Sequence, residues 1–199
     1  MSNLFNSLSK NDTVIQIQDL SLQELSEQYE TPFYLYDGNI IRERFKAMQQ
    51  FMNWPKLNIH YAMKANYNVA VLNLMKELGA SIDAVSPAEV MLALKIGFQP
   101  DRIIYTENNI TDQEMEKTGD LGVLMNIGSL SRLEKYGKRF PGASICLRFN
   151  PDVVAGEHEK IQTGGNRSKF GILMKDQQKA VELVRKYNLK VVGIHKHTG

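Results

Sequence analysis

The chain has little of what marks secreted, membrane-spanning or disulfide-bonded proteins. Its 199 residues include one cysteine, Cys146, which excludes an intrachain disulfide. The amino terminus lacks the basic start and apolar run of a secretory signal. No run of about eighteen apolar residues without charges is present to span a membrane. We therefore expect a cytoplasmic protein.

An excess of charge of one sign is also missing. The 24 Lys and Arg residues nearly balance the 22 Asp and Glu residues, and the two signs are interspersed. This distribution provides no basic face for nucleic acid or an anionic membrane. With 43% hydrophobic residues, the chain can form a sizeable globular core. We expect a small-molecule partner.

Predicted strands and helices alternate along most of the chain. Ser21 and Glu24 predict the start of a short helix over 21–30, followed by an extended segment at 33–37. The predicted strands are 58–63, 81–85, 102–106, 122–126, 143–149 and 191–197, and the predicted helices between and around them are 39–52, 68–78, 87–96, 111–118, 129–139 and 176–187. Strand followed by helix, repeated, predicts a parallel sheet.

Side-chain alternation favours a barrel over an open doubly wound sheet. In the strand 143–149, for example, Cys146 and Arg148 share one face and Leu147 lies on the other. A strand covered by helices on both sides would be apolar on both faces, so a polar face fits a barrel lumen. Polar groups concentrate at the carboxyl ends of the strands, where active sites of (β/α)₈ barrels form; they are Lys64, Asp83, Arg148, Asn150 and His197.

A complete barrel of this kind needs about 250 residues. We therefore expect an incomplete (β/α)₈ barrel over 38–199, with about six of its eight strands, after an amino-terminal segment over 1–37. That segment is expected to supply a short helix and a strand that pairs with a carboxy-terminal β domain outside this sequence. On this interpretation residues 1–199 are inactive by themselves.

Lys64, in HYAMKAN, is the first candidate for chemistry, because a lysine at a strand end can form a Schiff base with an aldehyde cofactor. An isolated lysine there is more often simply solvated. His195 and His197 share a strand face, but a zinc site needs three or four ligands, so no metal is predicted. Lys196 is a rival lysine that points to the opposite side.

Six blocks occur in one order from about Leu20 to Gly199: TPFYLYD, HYAMKAN, GASIDAVSPAEV, RIIYTENN, LRFNPDVVAGEHEKIQTGGNRSKFGI and GIHKHTG. They resemble the alanine-racemase-like, fold type III family of pyridoxal-phosphate enzymes, and within it the diaminopimelate decarboxylases. The block 147–172 is the most specific, because related ornithine and arginine decarboxylases differ there. A YxxK motif alone is weak evidence.

The resemblance implies pyridoxal 5'-phosphate as cofactor and assigns roles to four residues. Lys64 would carry the cofactor as a Schiff base, and His197 would stack on its pyridine ring. Asp83 would lie near the cofactor and the lysine, and Arg148 would reach the ring oxygen. The acid at the pyridine nitrogen, the main phosphate loops and the substrate contacts of the family lie beyond residue 199.

The implied function is decarboxylation of meso-2,6-diaminopimelate to L-lysine, by an enzyme that forms homodimers in this family. Two alternatives stay open: a decarboxylase of ornithine, arginine or carboxynorspermidine, and a non-catalytic pyridoxal-phosphate homeostasis protein. About twenty-five residues separate the strand ending near Asn150 from the helix beginning near Asp176, far beyond the usual loop of about four to six. We expect a lid over the barrel mouth there, with a disordered surface loop as the alternative.

Overall fold

The computed structural model describes residues 8–11, 14–17, 19–52, 54–150 and 170–197. The chain divides into two compact units, residues 1–53 and 54–199. The predicted lid falls mostly on 151–169 and so lies outside the described residues. None of the helices in the described ranges combines the length and apolar character that a membrane crossing requires.

The first unit combines a small antiparallel sheet with two helices. Its elements are β1 (Leu8–Asn11), β2 (Val14–Ile17), β3 (Leu20–Ser21), α1 (Leu22–Tyr29) and α2 (Gly38–Phe51). Both helices start at a capped residue: the Ser21 hydroxyl accepts from the amide of Glu24, and the Asp37 carboxylate accepts from the amide of Asn39. The sheet was not predicted, and residues 33–37 lie outside the regular elements. The boundary after residue 37 stays a prediction.

The second unit is a parallel sheet with helices between its strands. Its strands are β4 (His60–Ala62), β5 (Ser81–Ala84), β6 (Ile103–Thr106), β7 (Leu124–Ile127), β8 (Ser144–Asn150), β9 (Ile172–Leu173) and β10 (Lys190–His195). Its helices are α3 (Val69–Glu77), α4 (Pro87–Ile96), α5 (Asp112–Asp120), α6 (Leu130–Arg139) and α7 (Gln177–Lys186). Every predicted strand and helix of this unit is present, with ends shifted by a few residues.

Strand order identifies the architecture. The order across the sheet is β4, β5, β6, β7, β8 and β10, with β9 paired to the end of β8, and all pairs are parallel. A doubly wound sheet reverses direction at a switch point, whereas this order follows the chain as in a β/α barrel. Within the described residues β4 and β10 do not pair, so the barrel is not closed. The predicted incomplete barrel is confirmed.

The hydrophobic core lies on the helix side of the sheet. Ile82, Tyr105 and Ile145 on the strands are fully buried, together with Val90 and Leu133 on the helices. Their neighbours along each strand point to the opposite face because side chains alternate. The helix side therefore provides most of the hydrophobic stabilisation and leaves the other face available for polar groups.

Gly137 in α6 allows the helix to pack closely against the ring of Tyr187. A Cβ at this position would lie 2.5 Å from the ring carbon Cδ2 of Tyr187. Gly137→Ala is expected to destabilise the protein by about 1–3 kcal/mol, because either α6 or the Tyr187 ring has to move to make room for the methyl group. The midpoint of urea unfolding measures this. Ser131→Ala, at an exposed position on the same helix, is the control, and an equal loss in both variants would contradict the packing explanation.

Candidate active site

Polar side chains from four strands form a continuous hydrogen-bonded row on the face opposite the helices. The Thr106 hydroxyl donates to Asp83 Oδ1 at 2.6 Å, and Asn126 Nδ2 donates to Thr106 Oγ1 at 3.2 Å. Asn126 Nδ2 also lies 2.7 Å from His195 Nδ1. The row therefore joins β5, β6, β7 and β10 near their carboxyl ends.

The contact between Asn126 and His195 passes across β8, which lies between their strands. Asn126 is level with Cys146 in the strand register, and Cys146 is level with Gly193. These two small residues leave space for the contact, and a Cβ on Gly193 would lie 3.3 Å from Cys146 Sγ. Burial raises the pKa of the Cys146 thiol to about 11, as expected for a packing residue rather than a reactive thiolate.

Arg148, near the end of β8, is a cation on this face. Its guanidinium carbon lies 5.0 Å from the ring centroid of Phe170. Burial lowers the pKa of Arg148, and the charge of Asp83 acts in the opposite direction. Gly128 lies beside Arg148, since a Cβ on Gly128 would lie 3.7 Å from Arg148 Cδ. Arg148 and Asp83 therefore act on the same region of the lumen.

Both histidines at the end of β10 are held toward the neutral form. Burial lowers the pKa of His195, and Arg148 lowers it further while Asp83 opposes. For His197 the causes are burial first, then the positive charges of Arg148 and Lys64, again opposed by Asp83. Arg148 and Asp83 thus act on both imidazoles and Lys64 acts on His197, and the neutral form of both rings is favoured near pH 7.

Lys64 lies on a 3₁₀ turn, Met63–Ala65, directly after β4. Met63 is fully buried and anchors the turn, while Lys64 is exposed. The turn leads into α3, whose first amides are capped by Asn68. Because Lys64 lowers the pKa of His197, its ammonium group lies within electrostatic reach of that ring. Lys196 lines an apolar groove with Leu147 and Phe149, on the helix side of the sheet.

The structure thus brings the four residues predicted from the sequence to one end of the sheet, and it adds two that were missed. Thr106 and Asn126 are buried polar residues at the last and third positions of β6 and β7. Strand alternation alone could have identified them, since each follows an apolar residue that faces the helices. Within the described ranges, no group of three or more metal-ligating side chains is present.

Beside this row lies a cleft of about 370 Å³ at the ends of β6, β7 and β8. Arg132 Nε contacts Glu107 Oε2 at 3.3 Å, and the side chains are only 12% and 7% exposed. Arg132 also donates to Asp112 Oδ1 at 2.9 Å and to the carbonyl of Ile110. Burial raises the pKa of Glu107, while the amide of Gly128 and the charge of Arg132 lower it. This buried ion pair joins the loop after β6 to α6.

Arg148→Gln is expected to raise the pKa of both His195 and His197, because it removes a positive charge that acts on both rings. Titration of the histidine ring signals by NMR measures the two values. Arg139→Gln, at an exposed position on α6, is the control and should change neither. Unchanged values in Arg148→Gln would contradict the charge arrangement described above.

A family model and several known proteins match the sequence of this chain. A family model described as "Pyridoxal-dependent decarboxylase, pyridoxal binding domain" matches residues 39–199. The diaminopimelate decarboxylase of Methanothermobacter thermautotrophicus is 40% identical over 179 residues, covering 88% of this chain and 42% of the relative. That of Aquifex aeolicus is 40% identical over 198 residues, covering 96% and 47%.

A solved structure of diaminopimelate decarboxylase from Helicobacter pylori, complexed with L-lysine, superposes with a TM-score of 0.83. It is 32% identical, and the match covers 89% of this chain and 46% of that one. The chain spans about half the length of the curated relatives it matches. The resemblance to diaminopimelate decarboxylases is confirmed, and the matched domain supports pyridoxal phosphate as the cofactor. Since the family model covers residues 39–199, the chain belongs to the pyridoxal-dependent decarboxylases and carries their pyridoxal binding domain.

Proposed function

We propose that the full-length protein decarboxylates meso-2,6-diaminopimelate to L-lysine with pyridoxal phosphate, the last step of lysine biosynthesis. The observation that carries this proposal is the 40% identity to two diaminopimelate decarboxylases over 88% and 96% of the chain. The Helicobacter pylori relative, crystallised with L-lysine, supports an amino-acid ligand of the same class. A cytoplasmic location and a homodimer belong to the same proposal.

The roles proposed for the site residues follow from their chemistry and placement. Lys64 supplies the amine for covalent attachment of the cofactor aldehyde, and the exposure of its side chain leaves the amine accessible. His197 offers a neutral aromatic ring on which the pyridine ring would stack. Asp83 and Arg148 place opposite charges on the same face, and Arg148 would hold the ring oxygen. The residues present therefore fit a planar, anionic aldehyde.

Bound pyridoxal phosphate supplies the electron sink that makes loss of the α-carboxylate possible. The protein orients the substrate and keeps the lumen groups in defined protonation states. Lowered pKa values keep His195 and His197 neutral, so among the described residues Arg148 and Lys64 supply the positive charge near these rings. An anionic cofactor and a substrate carboxylate are both attracted to such a face.

The direct test is carbon dioxide release by the full-length protein with pyridoxal phosphate present. Diaminopimelate, ornithine, arginine and carboxynorspermidine are supplied separately, and kcat/KM is compared. We expect turnover of diaminopimelate at least about a hundredfold above the others, since a site built for polar substrate groups strongly rejects analogues that lack them.

If one of the other amino acids is turned over preferentially, that amino acid is the substrate and the reaction is still a decarboxylation. Retained cofactor absorbance with no turnover of any of the four would overturn the enzyme function in favour of a cofactor-binding protein. Size-exclusion chromatography with light scattering tests the homodimer separately, and a monomer at assay concentration would contradict it.

A further inference from the structure

We propose that Thr106 and Asn126 are positioning residues that fix His195 as the neutral tautomer with its proton on Nε2. The inference comes from the order of donors and acceptors along the row from Asp83 to His195. Its link to catalysis rests on the proposed decarboxylase function, whereas the tautomer itself does not.

Asp83 determines which atoms donate and which accept hydrogen bonds along the row. An ionised carboxylate only accepts hydrogen bonds, so the single hydroxyl proton of Thr106 is used in the 2.6 Å contact with Asp83 Oδ1. Thr106 Oγ1 can then only accept from its other neighbour. The side chain 3.2 Å away must therefore present its amide nitrogen, which determines the orientation of Asn126.

The same amide nitrogen carries the second hydrogen that faces His195. Asn126 Nδ2 lies 2.7 Å from His195 Nδ1, and an amide nitrogen cannot accept a hydrogen bond. His195 Nδ1 therefore has to be the acceptor and carries no proton. The remaining nitrogen, Nε2, holds the ring proton of the neutral imidazole and is left as a donor.

The surrounding charges agree with this protonation state. The groups that act on His195 are Arg148 and His197, which disfavour a second proton, and Asp83, which favours it. Burial also disfavours the imidazolium form. In the row itself, a proton on Nδ1 would meet the hydrogens of Asn126, so the hydrogen bonds exclude the imidazolium as well.

The consequence for the site is a lumen with a defined charge. His195 stays neutral beside His197, and Asp83 accepts a hydrogen bond from the Thr106 hydroxyl at 2.6 Å. Without the row, His195 Nδ1 could carry a proton as well and change the charge that faces Arg148. Thr106 and Asn126 would act on the reaction through these residues without contacting the substrate.

The test is a measurement of the His195 tautomer in the full-length protein. Histidine labelled with ¹⁵N in the ring gives different shifts for protonated and unprotonated nitrogens, and His195→Gln identifies the His195 signals. We expect an unprotonated Nδ1 and a protonated Nε2 in the unsubstituted protein. Asn126→Asp should place a proton on Nδ1, because a carboxylate would accept from Nδ1, and should raise the pKa of His195 above its usual value of about 6.5.

Thr106→Val keeps the shape of the side chain and removes the hydroxyl. Asn126 is then free to rotate, and we expect a mixture of both tautomers and a fall in kcat of about tenfold, comparable to one lost hydrogen bond. Thr106→Ser should restore the single tautomer and the original kcat. The matched control is Thr118→Val, which makes the same substitution at another buried threonine, on α5, and should change neither the tautomer nor kcat.

A proton on Nδ1 in the unsubstituted protein would overturn the proposal, and so would an unchanged tautomer in Asn126→Asp. The spectra need no turnover, so they decide the tautomer even if diaminopimelate proves not to be the substrate. Conversely, a confirmed tautomer with unchanged kcat in Thr106→Val would overturn the positioning role alone.

Discussion

Lys64→Ala is expected to abolish covalent attachment of pyridoxal phosphate and to lower kcat by on the order of 10³-fold or more, the scale of loss for a residue that forms a covalent intermediate. Lys64 is exposed on the turn after β4 and lies within electrostatic reach of His197. Two measurements check this: carbon dioxide release, and borohydride reduction followed by mass spectrometry of the labelled peptide.

Lys196→Gln is the matched control, because Lys196 lies between the two histidines in sequence but on the helix side of β10. We expect its labelling and kcat to stay within about twofold of the unsubstituted protein, as for a residue away from the reacting groups. A borohydride adduct on Lys196, or a normal adduct yield in Lys64→Ala, would contradict the assignment of Lys64.

Arg132→Met is expected to lower the free energy of unfolding by about 3–5 kcal/mol, because it leaves the buried carboxylate of Glu107 without its cation. Glu107 is 7% exposed, and within the described part of the chain it would retain only the amide of Gly128 as a donor. The urea midpoint and the melting temperature measure the loss. Lys135→Met removes another cation bound to Asp112, at an exposed position, and should cost less than about 1 kcal/mol.

The cost of Arg132→Met should depend on pH. Burial already raises the folded-state pKa of Glu107, and loss of Arg132 removes a charge that lowers it. A carboxyl with a raised folded-state pKa loses stability as pH rises from its unfolded value of about 4.3 through the folded one. The destabilisation should therefore be small near pH 4 and full at pH 7. Combining Arg132→Met with Glu107→Gln should recover part of the stability lost at pH 7. A loss of stability that is independent of pH would contradict the role of the Glu107 charge.

Helix ends could be predicted from the sequence because their signals are local. The predicted range 87–96 is that of α4 in the structure. Ser86 Oγ accepts from the amide of Glu89 at 3.2 Å, and the Glu89 carboxylate accepts from the amide of Val85 at 2.7 Å. Pro87 occupies the first helical turn. Each of these contacts spans at most four residues, so the pattern of residue types is sufficient.

Contacts between distant strands could not be predicted in the same way. Asn126 and His195 are 69 positions apart, and their contact depends on the register of three strands and on the small size of Cys146. The ion pair of Glu107 and Arg132 also joins separate elements, and as isolated charges both residues are typical of a solvated surface. The antiparallel sheet of β1 to β3 was missed because its strands are short, with two to four residues each.

Alternate residues of the same strands pack in the hydrophobic core and line the polar face of the sheet. In β6, Ile103 and Tyr105 are buried toward the helices, whereas Thr106 belongs to the hydrogen-bonded row. Changes at lumen positions can therefore accumulate with little effect on the hydrophobic packing behind them. A barrel wall of this kind can take new side chains on its lumen face without first acquiring extra stability, because the residues that pack the core and those that face the lumen are different residues of each strand.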